Sequence, residues 1–164
     1  AEIAFQAALT GHLVFSTLHT NDAPSALTRL ADMKVEPFLI SSSVIGILAQ
    51  RLLRRVCRRC AEPYVPPDAV LRRLDAQPGT KFRHGIGCPE CNDTGYRGRI
   101  GAFELLPVDL TVRRMVLEGK SADEIRQIAV KTGMITLRED AAAKARAGLT
   151  SPEEVIRVTQ DAAV

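Results

Sequence analysis

Apolar positions change their spacing several times along the first sixty residues. Ile3, Ala4, Ala7 and Ala8 recur close to a helical period, which predicts a helix over residues 2–9 that Gly11 can stop. The stretch HLVFSTLH, residues 12–19, is rich in Leu, Val, Phe and Thr and is bounded by turn-formers, so it reads as a buried strand. NDAPSALTRLADMK carries a cap candidate at Asn21 or Asp22, a proline near the first turn, and Leu27 and Leu30 three apart. It reads as a helix start, because the cap oxygen takes an orphan N–H and the proline there loses no hydrogen bond. EPFLISSSVIGILA reads as a second helix beginning near Pro37, and QRLLRRV as a strand running into Cys57.

Prolines and glycines crowd residues 61–87, interrupted by a short helix near Asp68–Asp75. GRIGAFELLPV reads as a strand or hairpin arm. After Pro107 the pattern is helical. Ser121 with Glu124, Thr136 with Glu139, and Ser151 with Glu154 are each placed as capping boxes, in which hydroxyl and carboxylate satisfy backbone donors reciprocally. The expected organisation is an α/β segment over 1–56, a cysteine-bearing insert over 57–104 and a helical segment over 105–164, with no internal repeat.

Composition narrows the class. Hydrophobic residues are 46% and charged residues 25% of the 164, as in a soluble globular protein. No apolar run approaches the roughly 20 residues of a membrane span. The chain opens without Met, inside a helical pattern and without a basic leader, and is expected to be a piece of a longer protein. The net charge of +3 is too small to argue for nucleic acid. The positive surplus falls in the middle segment, in the run RLLRRVCRR.

All four cysteines lie in that segment. Cys57-x-x-Cys60 and Cys88-x-x-Cys91 are 27 residues apart. Each turn aims two thiolates at one point, and two turns complete the tetrahedron that zinc accepts. Two disulfides, or iron in the same sulfur cage, are the alternatives. Four thiolates fill every position and leave none for catalysis, so the expected role is to staple a loop-rich insert. Arg54, Arg55, Arg58, Arg59 and Arg97 are expected to offset the negative charge of the site.

The stretch EGKS, Glu118–Ser121, resembles the end of a phosphate-binding loop. The full pattern needs a glycine where Arg114 stands, and a strand where LTVRRMVLE is helical. Gly119 is expected to end one helix and Ser121 to cap the next. The 164 residues hold no other G-x-x-x-x-G-K-[ST].

TGHLVFSTLHTNDAPSALTRLADMKVEPFLISSSVIGILAQRLLRRVCRRC, CPECNDTGYRGRIGAFELLPV and GLTSPEEVIRVT together resemble the ATPases of type II secretion and of type IV pilus assembly. The resemblance covers essentially the whole chain. It implies the later half of a RecA-like ATPase domain, then a zinc-stapled subdomain, then an all-helical C-terminal subdomain. In that family the phosphate-binding loop precedes the histidine box, so this chain alone is expected not to hydrolyse ATP.

The resemblance places His19 at the terminal phosphate of a nucleotide, and Arg29 and Arg99 near phosphate or at a subunit interface, as catalytic and cofactor-binding residues. Cys57, Cys60, Cys88 and Cys91 are the implied structural zinc ligands, and ATP with Mg²⁺ the cofactors of the full-length protein. His12 is expected to be structural and His84 to lie at the surface, with Gln50 and Arg51 weighed lower.

The implied whole is a hexameric ring that drives pseudopilus or pilus assembly. It is cytoplasmic and peripheral at the inner membrane, through a membrane platform and cytoplasmic adaptor proteins, with no specific nucleic acid. Secretion and pilus systems are not separated by sequence. The rival readings are a nucleic-acid-binding zinc module, weakened by an aromatic content of 4% without Trp, and a purely structural adaptor.

Overall fold

A computed structural model of the chain describes residues 2–159 as a mixed α/β protein. The chain divides into two compact units, Ala1–Ala49 with Glu104–Ile135, and Gln50–Phe103 with Thr136–Val164.

The first unit holds α1 (Glu2–Leu9), α2 (Ala23–Asp32), α3 (Pro37–Ser43), α5 (Leu110–Leu117) and α6 (Ala122–Lys131). It also holds the start of strand β1 (Gly46–Val56) and the end of strand β4 (Tyr96–Pro107). α2 buries Ala23, Ala26, Leu27 and Leu30, one helical face, against a core that includes Ile40, Leu106, Val112, Met115 and Ile125. α3 packs on α1, α2 and α5, and α6 packs on α2 and α5.

Two expectations change here. Residues 12–20 form no strand: they are irregular, and Leu13 and Phe15 are 70% and 88% exposed. A strand apolar on both faces needs partner strands and layers that cover it, and no described strand pairs with this one. The helix expected over 36–49 ends at Ser43. Ser41 and Ser42 turn their hydroxyls back to the carbonyls of Phe38 and Leu39, at 3.0 and 3.2 Å. The chain then enters β1, where the Ile45 carbonyl accepts from Val108 N–H at 3.1 Å. Serine back-bonding competes with helix, and the Val44–Ile47 stretch prefers a pleated surface.

The second unit holds the rest of β1 and β4, a β2 (Ala61–Tyr64)–β3 (Phe82–Gly85) hairpin, α4 (Asp68–Arg73), α7 (Leu137–Arg146) and α8 (Pro152–Thr159). β1 pairs with β4. β2 pairs antiparallel with β3, from Ala61 opposite Gly85 to Tyr64 opposite Phe82. That hairpin was invisible in a proline-rich stretch. Pro63 sits within it, as a two-stranded sheet allows because each strand has a free edge. α7 packs on α8 and β3, and α4 on α8. The four helices after Pro107 therefore divide between the units, α5 and α6 in the first and α7 and α8 in the second.

The helix starts follow the chemistry of their caps. Ser121 with Glu124 and Thr136 with Glu139 are reciprocal capping boxes. Gly119, at φ +67°, ends α5: its N–H reaches the Val116 carbonyl and that of Lys120 the Met115 carbonyl, so EGKS is a helix stop followed by a cap. The third box differs. Ser151 Oγ accepts from Glu154 N–H at 3.3 Å, but the Glu154 carboxylate turns to Arg54.

Glu154 is fully buried. Its Oε1 accepts from the Arg54 backbone N–H at 2.9 Å and from Arg157 Nη2 at 2.7 Å, and its Oε2 accepts from Arg54 Nε and Nη2 at 2.9 and 2.8 Å and from Arg157 Nε at 2.8 Å. Burial pushes this carboxyl up, yet the donors of Arg157 and Arg54 outweigh it and hold its pKa at about 2. A depressed carboxylate contributes stability above its unfolded pKa, and that stability fades as pH falls through the folded one. The thermal midpoint is therefore expected to fall between about pH 4.5 and about pH 2. Glu154→Gln is expected to lower the midpoint at neutral pH and to flatten that acid slope, as read by thermal denaturation followed by circular dichroism.

Candidate functional site

The residues singled out from sequence form two constellations, one in each unit. In the first, His19 and Arg29 line the same open pocket, with Thr20, Asn21, Ser25, Thr28 and Asp32. Ser25, Thr28, Arg29 and Asp32 share one face of α2, and His19 to Asn21 precede its N-terminus. Asp22, of the two cap candidates, is the one that caps α2, accepting from Ser25 N–H at 2.8 Å. His19 and Arg29 are both exposed.

The pocket measures about 260 Å³. Enclosed ligand sites run to roughly 300–1,000 Å³. This surface is thus one wall, with an imidazole and a guanidinium that can donate to the oxygens of an anion. Arg99 stands exposed on β4 in the second unit and is not among the lining residues.

The other histidines have local roles. His12 Nδ1 lies 3.0 Å from Thr10 Oγ1 and 3.3 Å from the Ala7 carbonyl, closing the end of α1. His84, expected at the surface, is half-buried and stacks on Tyr64 with ring centroids 4.2 Å apart. It lies outside the cysteine cluster.

In the second unit, Cys57, Cys60, Cys88 and Cys91 converge, with all four sulfurs within 4.8 Å of one another. The 57–88 and 60–91 sulfurs are 3.8 Å apart and the 88–91 sulfurs 3.6 Å. A tetrahedron with metal–sulfur bonds of about 2.3 Å has edges of about 3.8 Å. A disulfide would need about 2.05 Å, and all four cysteines are free. The cluster can therefore hold a metal ion.

Two neighbours explain why the knuckles meet. Cys57 N–H bonds the Gly95 carbonyl at 2.9 Å, and Gly95 crosses Gly85 so closely that a Cβ on Gly85 would stand 2.1 Å from the Gly95 oxygen. Only two glycines permit that crossing.

The thiols are not uniform. Burial pushes Cys60 up to about 12 and also raises Cys88. Burial would raise Cys91 too, but the Gly95 and Cys88 backbone N–H groups outweigh it and bring Cys91 to about 7. A cation must displace protons from this set, so its retention strengthens with pH.

The arginines expected to offset the site are partly committed elsewhere. Arg54 pairs with Glu154 and lies over the Tyr96 ring at 4.2 Å, and Arg97 pairs with Glu90 at 2.9 Å. Arg58 and Arg59, inside the first knuckle, are exposed.

Comparison with known proteins gives one family. The family described as Type II/IV secretion system protein matches residues 1–157. The type IV pilus assembly ATPase PilB of Thermus thermophilus is 52% identical over 97% of this chain and 18% of its own length. The type II secretion system protein E of Dickeya dadantii is 50% identical over 98% of the chain and 32% of its own length. The chain thus spans under a third of these relatives. Among solved structures, one described as the pilus retraction motor PilT with bound ADP matches 96% of this chain and 35% of its own, with a TM-score of 0.61 at 24% identity, a likeness of fold.

Cys60→Ser removes one corner of the cluster and leaves three thiols, two of them buried, without a common partner. It is expected to abolish metal retention through gel filtration and to lower the thermal midpoint by several degrees. Elemental analysis and calorimetry of both proteins measure this; undiminished metal content in the variant would exclude Cys60 as a ligand.

Proposed function

The chain belongs to the Type II/IV secretion system protein family, and on that premise we propose that it is part of an ATP-hydrolysing motor for assembling a secretion pseudopilus or a type IV pilus. The observation that carries this reading is the convergence of His19 and Arg29 on one open pocket at the start of α2. The activities of the relatives, a pilus assembly ATPase among them, support it. In this reading the chain supplies the later part of a RecA-like ATPase domain, and segment 12–19 joins a sheet completed by other parts of the full-length protein. The whole forms a hexameric ring at the cytoplasmic face of the inner membrane, engaging a membrane platform and cytoplasmic adaptors. Among the described residues, no helix is long and apolar enough to cross a membrane.

ATP with Mg²⁺ would bring the phosphoanhydride and the counter-charge of phosphoryl transfer. Against that substrate, His19 donates a hydrogen bond to a terminal phosphate oxygen or orients the attacking water. Arg29 presents its guanidinium to charge spreading over the phosphate oxygens. Arg99 acts near phosphate or at the contact between subunits. The four cysteines hold zinc, which supplies no chemistry to the reaction, because sulfur occupies every position around it.

In the full-length protein, His19→Ala is expected to lower kcat by about a hundredfold with KM for ATP within about twofold, since a group at the transferring phosphate acts mainly in the transition state. His12→Ala, on a residue that closes α1, is expected to leave kcat within about threefold. Loss of turnover in the His12 variant alone, with both variants folded, would reverse the assignment. Elemental analysis of the purified chain is expected to give one zinc per chain; iron in its place, or no metal with two disulfides, would refute the zinc reading.

A further inference from the structure

Asp22 is better buried and better paired than a helix cap requires. It is 4% exposed. One carboxylate oxygen caps α2 through Ser25 N–H at 2.8 Å, and the other accepts from Arg126 of α6 at 2.5 Å. A neutral Asn caps a helix about as well as Asp. Burying the charged form is costly unless it is paired, so the ion pair needs a reason beyond the cap. Asp123 offers Arg126 an alternative at 3.9 Å, but it is exposed and screened.

The neighbouring backbone is held in the same way. Ala23 N–H donates to Glu104 Oε1 at 2.7 Å, and Glu104 is 3% exposed. Thr20 Oγ1 donates to the Asp22 carbonyl at 3.1 Å. Residues 12–19 before this point are irregular and exposed. Ordered anchoring thus begins one residue after His19, and two of its bonds come from positions 81 and 104 residues away. Because Asp22 sets the phase of the first turn of α2, it also sets where Arg29 emerges relative to His19.

We infer that Arg126 is a positioning residue for the His19–Arg29 pocket, acting by clamping the buried Asp22 at the start of α2. The inference rests on the ATPase reading for its consequence in turnover, and on geometry alone for the clamp. Loss of the clamp leaves both pocket side chains in place chemically but frees their mutual registry. Such a loss falls on the rate of the chemical step more than on ground-state affinity, because the transition state tolerates misplacement least.

The test uses Asp22→Asn, which keeps the cap and removes the charge, Arg126→Gln, and the double variant, all in the full-length protein. Each single variant is expected to lower kcat about tenfold to a hundredfold, with KM for ATP within about twofold. The double variant should be no worse than the worse single, since both remove one interaction. Arg126→Lys, which restores a charge, should recover part of the rate, and it carries the comparison if Arg126→Gln does not fold. In nucleotide-free protein, amide hydrogen exchange at Ala23 and Ser25 should quicken in both single variants, while the α5 amides stay protected. Unchanged kcat in both singles, additive losses, or unchanged exchange at Ala23 and Ser25 would each overturn the inference. If the wild-type full-length protein turned over no ATP, the proposed function would fall, and the exchange data would still decide whether the clamp exists.

Discussion

One buried carboxylate organises the second unit. Glu154 is fully enclosed, and removing such a charge from water costs several kcal/mol. It is tolerated only because five donors converge on it from Arg54 and Arg157. One of the five is the backbone N–H of Arg54, so the interaction fixes the main chain of β1 against α8. Two residues further on, Val56 N–H reaches the Leu149 carbonyl, and Thr150 Oγ1 donates to the Arg54 carbonyl. The next residue is Cys57. The first knuckle therefore leaves a strand whose end is already tied to the α7–α8 connection. Losing the arginines around Glu154 would leave a buried charge unpaired, which costs more than losing a surface ion pair such as Arg97–Glu90, exposed on both sides.

What could be read from the sequence followed how local the determining interaction is. The boxes at Ser121 and Thr136, the stop at Gly119 and the two cysteine pairs each rest on residues within five positions of one another, and the structure carries all of them. Ser151 and Glu154 have the same spacing, yet their carboxylate is drawn away by Arg157, three residues on, together with Arg54, 100 residues distant. Local spacing cannot express the Arg54 share of that competition. The early β1 start has a similar origin, since Val44 to Ile47 fit either a helix or a strand until Val108 offers a ladder bond. HLVFSTLH has strand composition without a described strand to pair with. The clamp on Asp22 left only its capping half visible, because Arg126 stands in an ordinary helix with no sequence signal of its own.

The two constellations differ in how they meet solvent, and that difference separates their chemistry. The cysteine cluster is closed: three of its sulfurs belong to buried residues, and four ligands of one kind stand where they could share one cation. A cation held by all four would have no position left for substrate, so its binding energy would go into holding the knuckles together. The His19–Arg29 wall is the reverse, with His19 before α2 and Arg29 on its face both open to solvent. Exposed groups of that kind are strong toward a ligand only if the backbone beneath them is rigid, because each degree of freedom they retain is lost again on binding. The rigidity comes from beneath the wall rather than within it, through Asp22 and Glu104, which are buried while His19 and Arg29 are open. A site can then present solvated side chains to an incoming anion and still return them to one geometry, because the carboxylates that hold their backbone are buried beneath them.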